Sequence, residues 1–405
     1  MSLIVQKFGG TSVANADRMR EVADHVKRTR NHGDDVVLVV SAMGKETDEL
    51  LRLAREVSNT RPAREMDMLI TGGERKSIAL MCMALHDMGV PADSFTGSQA
   101  GFLTDTNHQN AKILTINPQR IHETLSAGRV AVVAGSQGVS TDHNVTFLGR
   151  GGSDTTAVAL AHGLGADACE LYTDVSGVFT TDPRVCEDAR KLLNISFDEL
   201  LEMTAVGCPK PAMRSVEVAR SYDVPLHVRS AFTWESGTWV SKEEPNMEKP
   251  IISAVVPDTS QSKVTVYGVP DKPGIAASLF RPLADQDVNV DMIVQNTSEE
   301  GVTDISFTVP SEQLEIGKEI TSQAATVIGA QGVDTDNTIG RVSVVGAGMA
   351  SNPGVAATIF ETLSNNSINI GMISTSAIRV SCVVAREDVD RATVALHEAF
   401  ELDKG

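Results

Sequence analysis

Short apolar runs alternate with helical patterns through the first half of the chain. Continuous apolar runs occupy residues 3–5, 36–40 and 131–134, and each leads into a loop that contains glycine. One face of the helical pattern between the first two runs carries Met19, Val22, Ala23 and Val26. Such runs are typical of strands buried on both faces of a parallel sheet. The pattern predicts an α/β domain with a mainly parallel central sheet flanked by helices, and ligands at the carboxyl ends of its strands.

The last part of the chain contains an internal repeat. The Pro-Gly segment at 273–277 recurs at 353–357, and the segment at 288–293 recurs at 368–373. Each copy has a strand pattern before Pro-Gly and further strand patterns after it, which predicts a duplicated βαββαβ unit. A polar, proline-bounded stretch precedes the repeat. We expect an α/β domain over 1–245, a linker and leading strand over 246–262, and repeats over 263–332 and 340–405.

Composition narrows the classes of function. The chain has 405 residues and a net charge of −18, and no basic stretch offsets the acidic excess. Nucleic acid and anionic membranes are therefore not expected partners. The five cysteines contain no Cys-x-x-Cys pair, so we predict neither a zinc site nor a disulfide, and we assign no metal ligand. No apolar run suits a signal peptide or a membrane span, so we expect a soluble, cytoplasmic protein.

Two glycine loops carry the candidate chemistry. Gly149-Arg150-Gly151-Gly152-Ser153-Asp154 opens a helical pattern, and Lys7-Phe8-Gly9-Gly10-Thr11-Ser12 follows the first strand. Uncovered N–H groups at a helix start favour an anion, and the arginine fork matches a carboxylate or phosphate. Either loop alone is also typical of an ordinary capped helix, with Asp154 as a possible cap. Two such loops in one chain indicate two phosphate-facing ends of one sheet.

Together with five further motifs, these loops resemble those of the aspartate kinases of the amino-acid kinase family. The further motifs lie at 41–44, 71–75, 98–101, 173–178 and 181–184. The repeats resemble the pair of ACT domains that such kinases carry as a regulatory tail. The resemblance implies an amino-acid kinase fold followed by two βαββαβ ACT domains. It also implies ATP-dependent phosphorylation of L-aspartate to 4-phospho-L-aspartate, for amino-acid biosynthesis or a specialised pathway.

The resemblance assigns roles to particular residues. The catalytic residues would be Lys7, Gly10 and Asp154. The acceptor would be bound by Ser41, Thr47, Glu74, Arg150, Gly151 and Ser153. The nucleotide would be bound by Lys7, Gly9, Gly10, Thr11, Thr173, Asp174, Phe179, Asp182, Arg184 and Lys210, with Mg²⁺ bridging the ATP phosphate oxygens. An amino-acid effector, threonine or lysine, would contact Asp271, Asn289, Val290, Asp291, Gln295, Asn369 and Ile370, with Asn296 as a further polar partner.

Simpler structural roles remain for some of these residues. Ser41 and Thr47 are candidate caps of the following helix, Glu74 a solvated helix residue, and Asp182 a turn residue before proline. Lys7, by contrast, follows a buried strand and has no evident structural role. An acceptor carboxylate is already ionised at neutral pH and needs no general base. The motifs accordingly contain no histidine, and we expect ordinary surface or loop roles for His108, His122, His143 and His162.

The chain departs from the family pattern in two places. Pro209 occupies the position of a family lysine that faces the ATP phosphates, and the nearest lysine is Lys210. Gly371 and Ala377 stand where the family often has acids that grip an effector's ammonium group. Two alternatives therefore remain open: a kinase for another carboxylate acceptor, and a catalytically impaired amino-acid-binding or regulatory homologue.

The repeats also bear on assembly. Small sheets with exposed edges commonly pair with another copy, so we expect a homo-oligomer. A methionine just before the repeats, Met247, marks where a separate regulatory polypeptide would begin.

Overall fold

The computed structural model describes residues 2–242, 251–295 and 301–404, and both Met247 and Asn296 lie outside these ranges. The chain divides into two compact units. The N-terminal unit comprises Met1–Val178, Lys191–Thr204 and Pro209–Pro245. The C-terminal unit comprises Phe179–Arg190, Ala205–Cys208 and Asn246–Gly405. None of the described helices combines the length and apolarity that a membrane crossing requires.

A mainly parallel sheet forms the centre of the N-terminal unit. The strands up to residue 242 are β1 (Leu3–Phe8), β2 (Asp35–Val40), β3 (Ala92–Phe95), β4 (Phe102–Thr104), β5 (Ile113–Ile116), β6 (Val130–Ala134), β7 (Gln137–Ser140), β8 (Val145–Phe147), β9 (Ala168–Thr173), β10 (Asn194–Ser196), β11 (Leu226–Ser230) and β12 (Thr238–Ser241). The central sheet has the order β10-β12-β11-β9-β1-β2-β6-β3, in which only the β11–β12 pair is antiparallel. A smaller sheet has the order β5-β4-β7-β8. The predicted α/β class with a mainly parallel sheet is confirmed.

Helices cover both faces of the central sheet. In this part of the chain they are α1 (Ala16–Asn31), α2 (Glu46–Val57), α3 (Ala63–Ile70), α4 (Gly72–Asp87), α5 (Gln119–Ser126), α6 (Gly152–Leu164), α7 (Phe197–Ala205) and α8 (Met213–Tyr222). Successive side chains of a strand point to opposite faces. Phe8 of β1 therefore joins the apolar core that contains Met19 and Met81 of α1 and α4, whereas Lys7 points toward α6.

Strand β1 is longer than its apolar run. It continues through Gln6 and Lys7, two polar residues that periodicity alone places outside a buried strand. Both side chains are buried and find partners far along the chain: the Gln6 amide donates to Glu170 over 2.8 Å, and Lys7 pairs with Asp154. Because these partners satisfy the polar groups, the strand remains buried to its end.

The C-terminal unit contains two four-stranded antiparallel sheets. Its strands are β13 (Ala254–Asp258), β14 (Gln261–Pro270), β15 (Asp291–Gln295), β16 (Val302–Pro310), β17 (Gly332–Asp336), β18 (Ile339–Val345), β19 (Met372–Thr375) and β20 (Arg379–Ala385). Its helices are α9 (Ile275–Ala284), α10 (Leu314–Ile328), α11 (Gly354–Asn365) and α12 (Val389–Ala399). The first repeat forms the sheet β15-β16-β14-β17, which has the predicted βαββαβ order.

The second repeat differs in the source of its fourth strand. Its sheet has the order β13-β18-β20-β19, and β13 lies in sequence before the first repeat. The described chain forms no strand after α12, so the edge of β18 would otherwise be unpaired. The apolar residues Ala254, Val255 and Val256 of β13 cover this edge through an antiparallel pairing.

A buried arginine organises the strands of the C-terminal unit. Arg341 on β18 is 2% exposed, and its Nη2 lies 2.8 Å from Asp258 Oδ2 on β13. Its Nη1 pairs with Asp291 on β15. The Ser260 backbone N–H and hydroxyl both donate to the other oxygen of Asp258. Burial opposes ionisation of Asp291, but Arg341 holds the pKa of that carboxyl below its usual value.

We predict that Arg341→Leu destabilises the C-terminal unit by about 3–5 kcal/mol, because it leaves Asp258 charged and buried without its cation. Denaturant unfolding monitors the loss. The matched control is Arg391→Leu, which removes an arginine that is 53% exposed and paired with Asp388. That change should cost less than about 1 kcal/mol. Equal small losses in both variants would show that the buried ion pairs contribute little.

Candidate active site

A buried ion pair joins the first strand to the second glycine loop. Lys7 Nζ lies 2.5 Å from Asp154 Oδ1, and the two residues are 5% and 3% exposed. Asp154 lies in the first turn of α6 but does not cap it, because Gly151 is the N-cap residue and no side chain bonds there. The Ala212 N–H donates to Asp154 Oδ2 over 3.2 Å. Burial opposes ionisation of Asp154, yet the Lys7 charge holds its pKa below the usual value.

This pairing corrects one expectation from the sequence. Lys7 was expected to have no structural role, but it neutralises a carboxylate that is almost completely buried. An isolated charge in such a place is costly, and the Lys7 charge offsets this cost for Asp154. The alternative in which Asp154 caps a helix is also wrong.

Close backbone packing joins the loops that follow β1 and β2. A Cβ added to Gly10 would lie 2.9 Å from the carbonyl oxygen of Ala42 and 3.0 Å from that of Gly44. The Gly44 N–H also donates to the Gly10 carbonyl over 3.0 Å. Only glycine fits at this position without displacing the neighbouring backbone. Gly9 lies beside Lys7, and Thr11 is exposed in the 3₁₀ turn that follows.

A chain of hydroxyl groups joins the loop after β2 to the start of α6. The Ser41 hydroxyl donates to the Ser153 hydroxyl over 2.9 Å, and Ser153 lies 2.9 Å from the Ser136 hydroxyl. Neither Ser41 nor Thr47 caps α2, because its N-cap is Lys45 and no side chain bonds there. Thr47 is half-buried in the first turn of α2. The capping alternative for these two residues is therefore wrong.

A second buried carboxyl group lies in the first turn of α4. Glu74 is 3% exposed, and its Oε2 has no hydrogen-bond partner within the described residues. Burial raises the pKa of Glu74 to about 7, although a hydrogen bond from the Ala42 backbone opposes this rise. Glu74 is therefore not a solvated helix residue. A buried carboxyl oxygen that lacks a partner suits a cationic group of a ligand.

Arg150 differs from these residues in being exposed. It lies between Gly149 and Gly151, which have left-handed φ values of 86° and 74°. Its side chain forms no ion pair with any residue that the structure describes, so the guanidinium is available to a ligand. A Cβ at Gly151 would lie 2.5 Å from Ala212 Cβ, so this turn also requires glycine.

The residues predicted for the nucleotide fall into both units. Thr173 is buried, and its hydroxyl exchanges hydrogen bonds with the Val175 backbone, while Asp174 is exposed. Phe179, Asp182 and Arg184 belong to the segment Phe179–Arg190 of the C-terminal unit. Arg184 lies 2.6 Å from Asp182, and its hydrogen bond is the main cause of the lowered pKa of Asp182. Their role at the nucleotide stays a prediction.

The altered loop at 208–213 places one lysine near the ion pair. Lys210 is exposed and belongs to the N-terminal unit, as do Lys7 and Asp154. Its positive charge contributes to the lowered pKa of Asp154. The contact of Lys210 with the ATP phosphates stays a prediction.

The predicted effector residues lie at or close to the ends of β14, β15 and β19 in the two repeats. Asp271, Asn289, Gln295 and Asn369 are exposed, and Val290 and Ile370 are half-buried. Asp291 is already paired with Arg341, so an effector's ammonium group would compete with that arginine. Within the described ranges, no cluster of three or more His, Cys, Asp or Glu side chains is arranged to hold a metal ion.

The sequence did not predict that His108 would pair with the buried Asp67. His108 lies in a loop, as expected, but its Nδ1 is 2.6 Å from Oδ2 of Asp67, which is fully buried in α3. An aspartate among the apolar residues Met66 and Ile70 of a helix was the available signal, since unpaired buried carboxylates are rare.

Comparison with known proteins identifies the family. The amino acid kinase family model matches residues 2–230, and ACT domain models match residues 263–328 and 342–400. The chain is 52% identical to the aspartokinase of Mycolicibacterium smegmatis over 99% of this chain and 97% of that relative. The chain belongs to the aspartokinases of the amino acid kinase family. The resemblance inferred from the motifs is thereby confirmed.

Two further comparisons agree with this family. The aspartate kinase of Pseudomonas fluorescens is 50% identical over 100% of this chain and 98% of its own length. Aspartokinase III of E. coli, solved in complex with aspartate and ADP, is 25% identical with a TM-score of 0.81. That similarity covers 98% of this chain and 99% of the E. coli chain. The predicted amino-acid kinase fold with ACT domains is confirmed.

We predict that Lys7→Met lowers the free energy of unfolding of the N-terminal unit by about 3–5 kcal/mol, because Asp154 is left buried and unpaired. Denaturant titration measures the change. The double variant Lys7→Met/Asp154→Asn removes both charges and should recover most of the lost stability. A single variant as stable as the wild type would show that the pair has no structural role.

Proposed function

We propose that this protein transfers the γ-phosphoryl group of ATP to the side-chain carboxylate of L-aspartate, giving 4-phospho-L-aspartate and ADP. The observation that carries the proposal is the buried Lys7–Asp154 pair at the carboxyl end of β1. The chain is 52% and 50% identical to two aspartokinases over nearly its full length, which supports aspartate as the acceptor. The aspartate and ADP bound to the E. coli relative support the same pair of reactants.

Lys7 is proposed to neutralise charge between the two anionic reactants. A carboxylate oxygen of aspartate forms a bond to the γ-phosphorus, and the bond from that phosphorus to the ADP oxygen breaks with its electron pair leaving on ADP. No proton has to move, so no general base is needed. Asp154 fixes the Lys7 ammonium through their 2.5 Å contact, and Gly9 and Gly10 offer backbone N–H groups to phosphate oxygens.

Mg²⁺ is proposed to accompany ATP. When bound with ATP, it would reduce the negative charge of the phosphate groups. The described residues contain no cluster of three or more His, Cys, Asp or Glu side chains that could hold a metal.

The acceptor is proposed to be held by groups of opposite charge. Glu74 would bind the aspartate ammonium, because its buried Oε2 has no partner in the part of the chain that the structure describes. Arg150 would bind the α-carboxylate, because its guanidinium is exposed and forms no ion pair with described residues. Ser41, Thr47, Gly151 and Ser153 would supply hydroxyl and backbone donors around them. Thr11, Thr173, Asp174, Phe179, Asp182, Arg184 and Lys210 stay proposed contacts of the nucleotide.

Two alternatives differ from this proposal in the acceptor or in turnover. A kinase for another carboxylate would retain Lys7 and Asp154, whereas an impaired homologue would have lost a phosphate contact at Pro209. The retained Lys7, Arg150 and Asp154 favour an active enzyme. ADP release coupled to NADH oxidation, measured with L-aspartate, D-aspartate, L-glutamate and succinate, separates these cases. We expect turnover with L-aspartate and little with succinate, which lacks the ammonium group. Preference for another acceptor, or no turnover with any, would overturn the proposal.

The ACT repeats are proposed to bind an amino-acid effector, threonine or lysine, and to join copies of the chain into a homo-oligomer. Two ACT domain matches support a regulatory role for this part of the chain. The absence of acidic side chains at Gly371 and Ala377 favours weak effector binding at the second repeat. A separate regulatory polypeptide beginning near Met247 is part of the same proposal.

We predict that the aspartate KM falls as pH rises from about 6 to 8, because only the ionised form of Glu74 binds an ammonium group and burial raises its pKa to about 7. Aspartate itself does not titrate in this range. Glu74→Gln should have a higher KM that no longer changes across this range. The KM for ATP, measured in parallel, controls for titration of the nucleotide. The same pH slope in both proteins would exclude Glu74 as its source.

A further inference from the structure

The turn that carries Arg150 has glycine on both sides. Gly149 and Gly151 adopt left-handed conformations, and the Arg150 side chain has no ion-pair partner among the described residues. Glycines lack a side chain that would anchor the turn, so its position depends on the segments it packs against. The adjoining strand β8 ends at Phe147, two residues before Gly149.

Asp67 anchors this region from α3. Its carboxylate is fully buried and accepts three hydrogen bonds. The Phe147 N–H donates over 3.0 Å, the Gln109 N–H over 2.9 Å, and His108 Nδ1 lies 2.6 Å away. One helix residue therefore holds both the end of β8 and the loop beside it.

Arg214 anchors the same two segments from α8. Its Nη1 donates to the Leu148 carbonyl over 2.7 Å, and its Nη2 donates to the Ala111 carbonyl over 2.8 Å. The Ala111 N–H also donates to the Phe147 carbonyl over 3.0 Å. A planar fork that bonds two carbonyl groups fixes their separation.

The Arg150 turn packs against the loop at 108–111, which Asp67 and Arg214 hold in place. A Cβ added to Gly149 would lie 3.1 Å from Asn110 Oδ1 and 3.2 Å from the Gln109 carbonyl oxygen. The Leu148 N–H donates to the Ser136 carbonyl over 2.8 Å, which ties the other side of the turn to the hydroxyl chain at Ser153. The position of Arg150 is thus set by contacts that Arg150 itself does not make.

We propose that Asp67, His108 and Arg214 are positioning residues that fix the Arg150 turn and thereby set the affinity for aspartate through its α-carboxylate. The inference rests on the proposed role of Arg150 in holding the acceptor. His108 is the most informative member, since its imidazole bonds Asp67 without contacting the turn. Loss of this bond removes one of the three hydrogen bonds that Asp67 accepts, while the two backbone donors stay in place.

The test compares steady-state kinetics of His108→Leu and the wild type. We expect a rise in the aspartate KM of about fivefold, the equivalent of one ordinary net hydrogen bond, with the ATP KM changed less than about twofold. His108→Gln retains a side-chain donor for Asp67 and should recover most of the affinity. His122→Leu, the same change at an exposed helix position, should leave both KM values unchanged. A purely structural role would lower stability without this selective effect on aspartate.

A double-mutant cycle with Arg150→Ala tests whether the effect passes through Arg150. If it does, adding His108→Leu to Arg150→Ala produces no further rise in the aspartate KM. Additive effects would overturn the positioning role while leaving kinase activity intact. An unchanged aspartate KM in Arg150→Ala would overturn both this inference and the proposed acceptor contact, although wild-type turnover with aspartate would still establish the reaction.

A second variant covers the case in which His108→Leu does not fold. Arg214→Lys keeps the positive charge but cannot bond both carbonyl groups through a planar fork. It should raise the aspartate KM selectively and show the same dependence on Arg150 in a double-mutant cycle. Equal changes in the KM values for aspartate and ATP would contradict the proposal.

Discussion

The Lys7–Asp154 ion pair is the interaction on which the organisation of the N-terminal unit depends. Both side chains are almost fully buried, and the Lys7 charge offsets the cost of burying the ionised Asp154. The pair therefore requires β1 and the start of α6 to lie together at one end of the sheet. Parallel pairing of β1 with β2 and β9 brings the loops after those strands to the same end. The position of the candidate chemistry follows from this one constraint.

Glycines, which have no side chain, are as important at this end of the sheet as the charged residues. The loops after β1 and β2 approach closely at Gly10, where a methyl group would meet two carbonyl oxygens. At Gly135 an added Cβ would lie 2.3 Å from the Ser153 hydroxyl oxygen, which would break the hydroxyl chain to Ser41. These glycines allow charged and hydroxyl groups from distant segments to share a small volume.

Buried charge has contrasting consequences at three places in the chain. Asp154 and the C-terminal pair of Asp258 with Arg341 are neutralised within the protein, so they fix elements relative to one another inside each unit. Glu74 has no cationic partner among the described residues, and burial raises its pKa to about 7. A carboxyl group left in this state is ready to gain a cationic ligand, whereas a paired one is not. The cost of burying a charge is therefore offset within the protein at two sites and not at the third.

The sequence alone determined the strands with continuous apolar runs, the glycine loops and the duplicated repeat, because these features depend on residues that are close together in the chain. It also carried the motifs that identify the family. Tertiary structure decided which polar residues meet. Gln6 and Lys7 extend β1 because Glu170 and Asp154 satisfy them, and β13 completes the second repeat although a whole repeat separates them. His108 likewise gains its role only from Asp67. Hydrophobic periodicity indicates which positions are apolar, but three-dimensional packing determines which residue pairs with a buried charge.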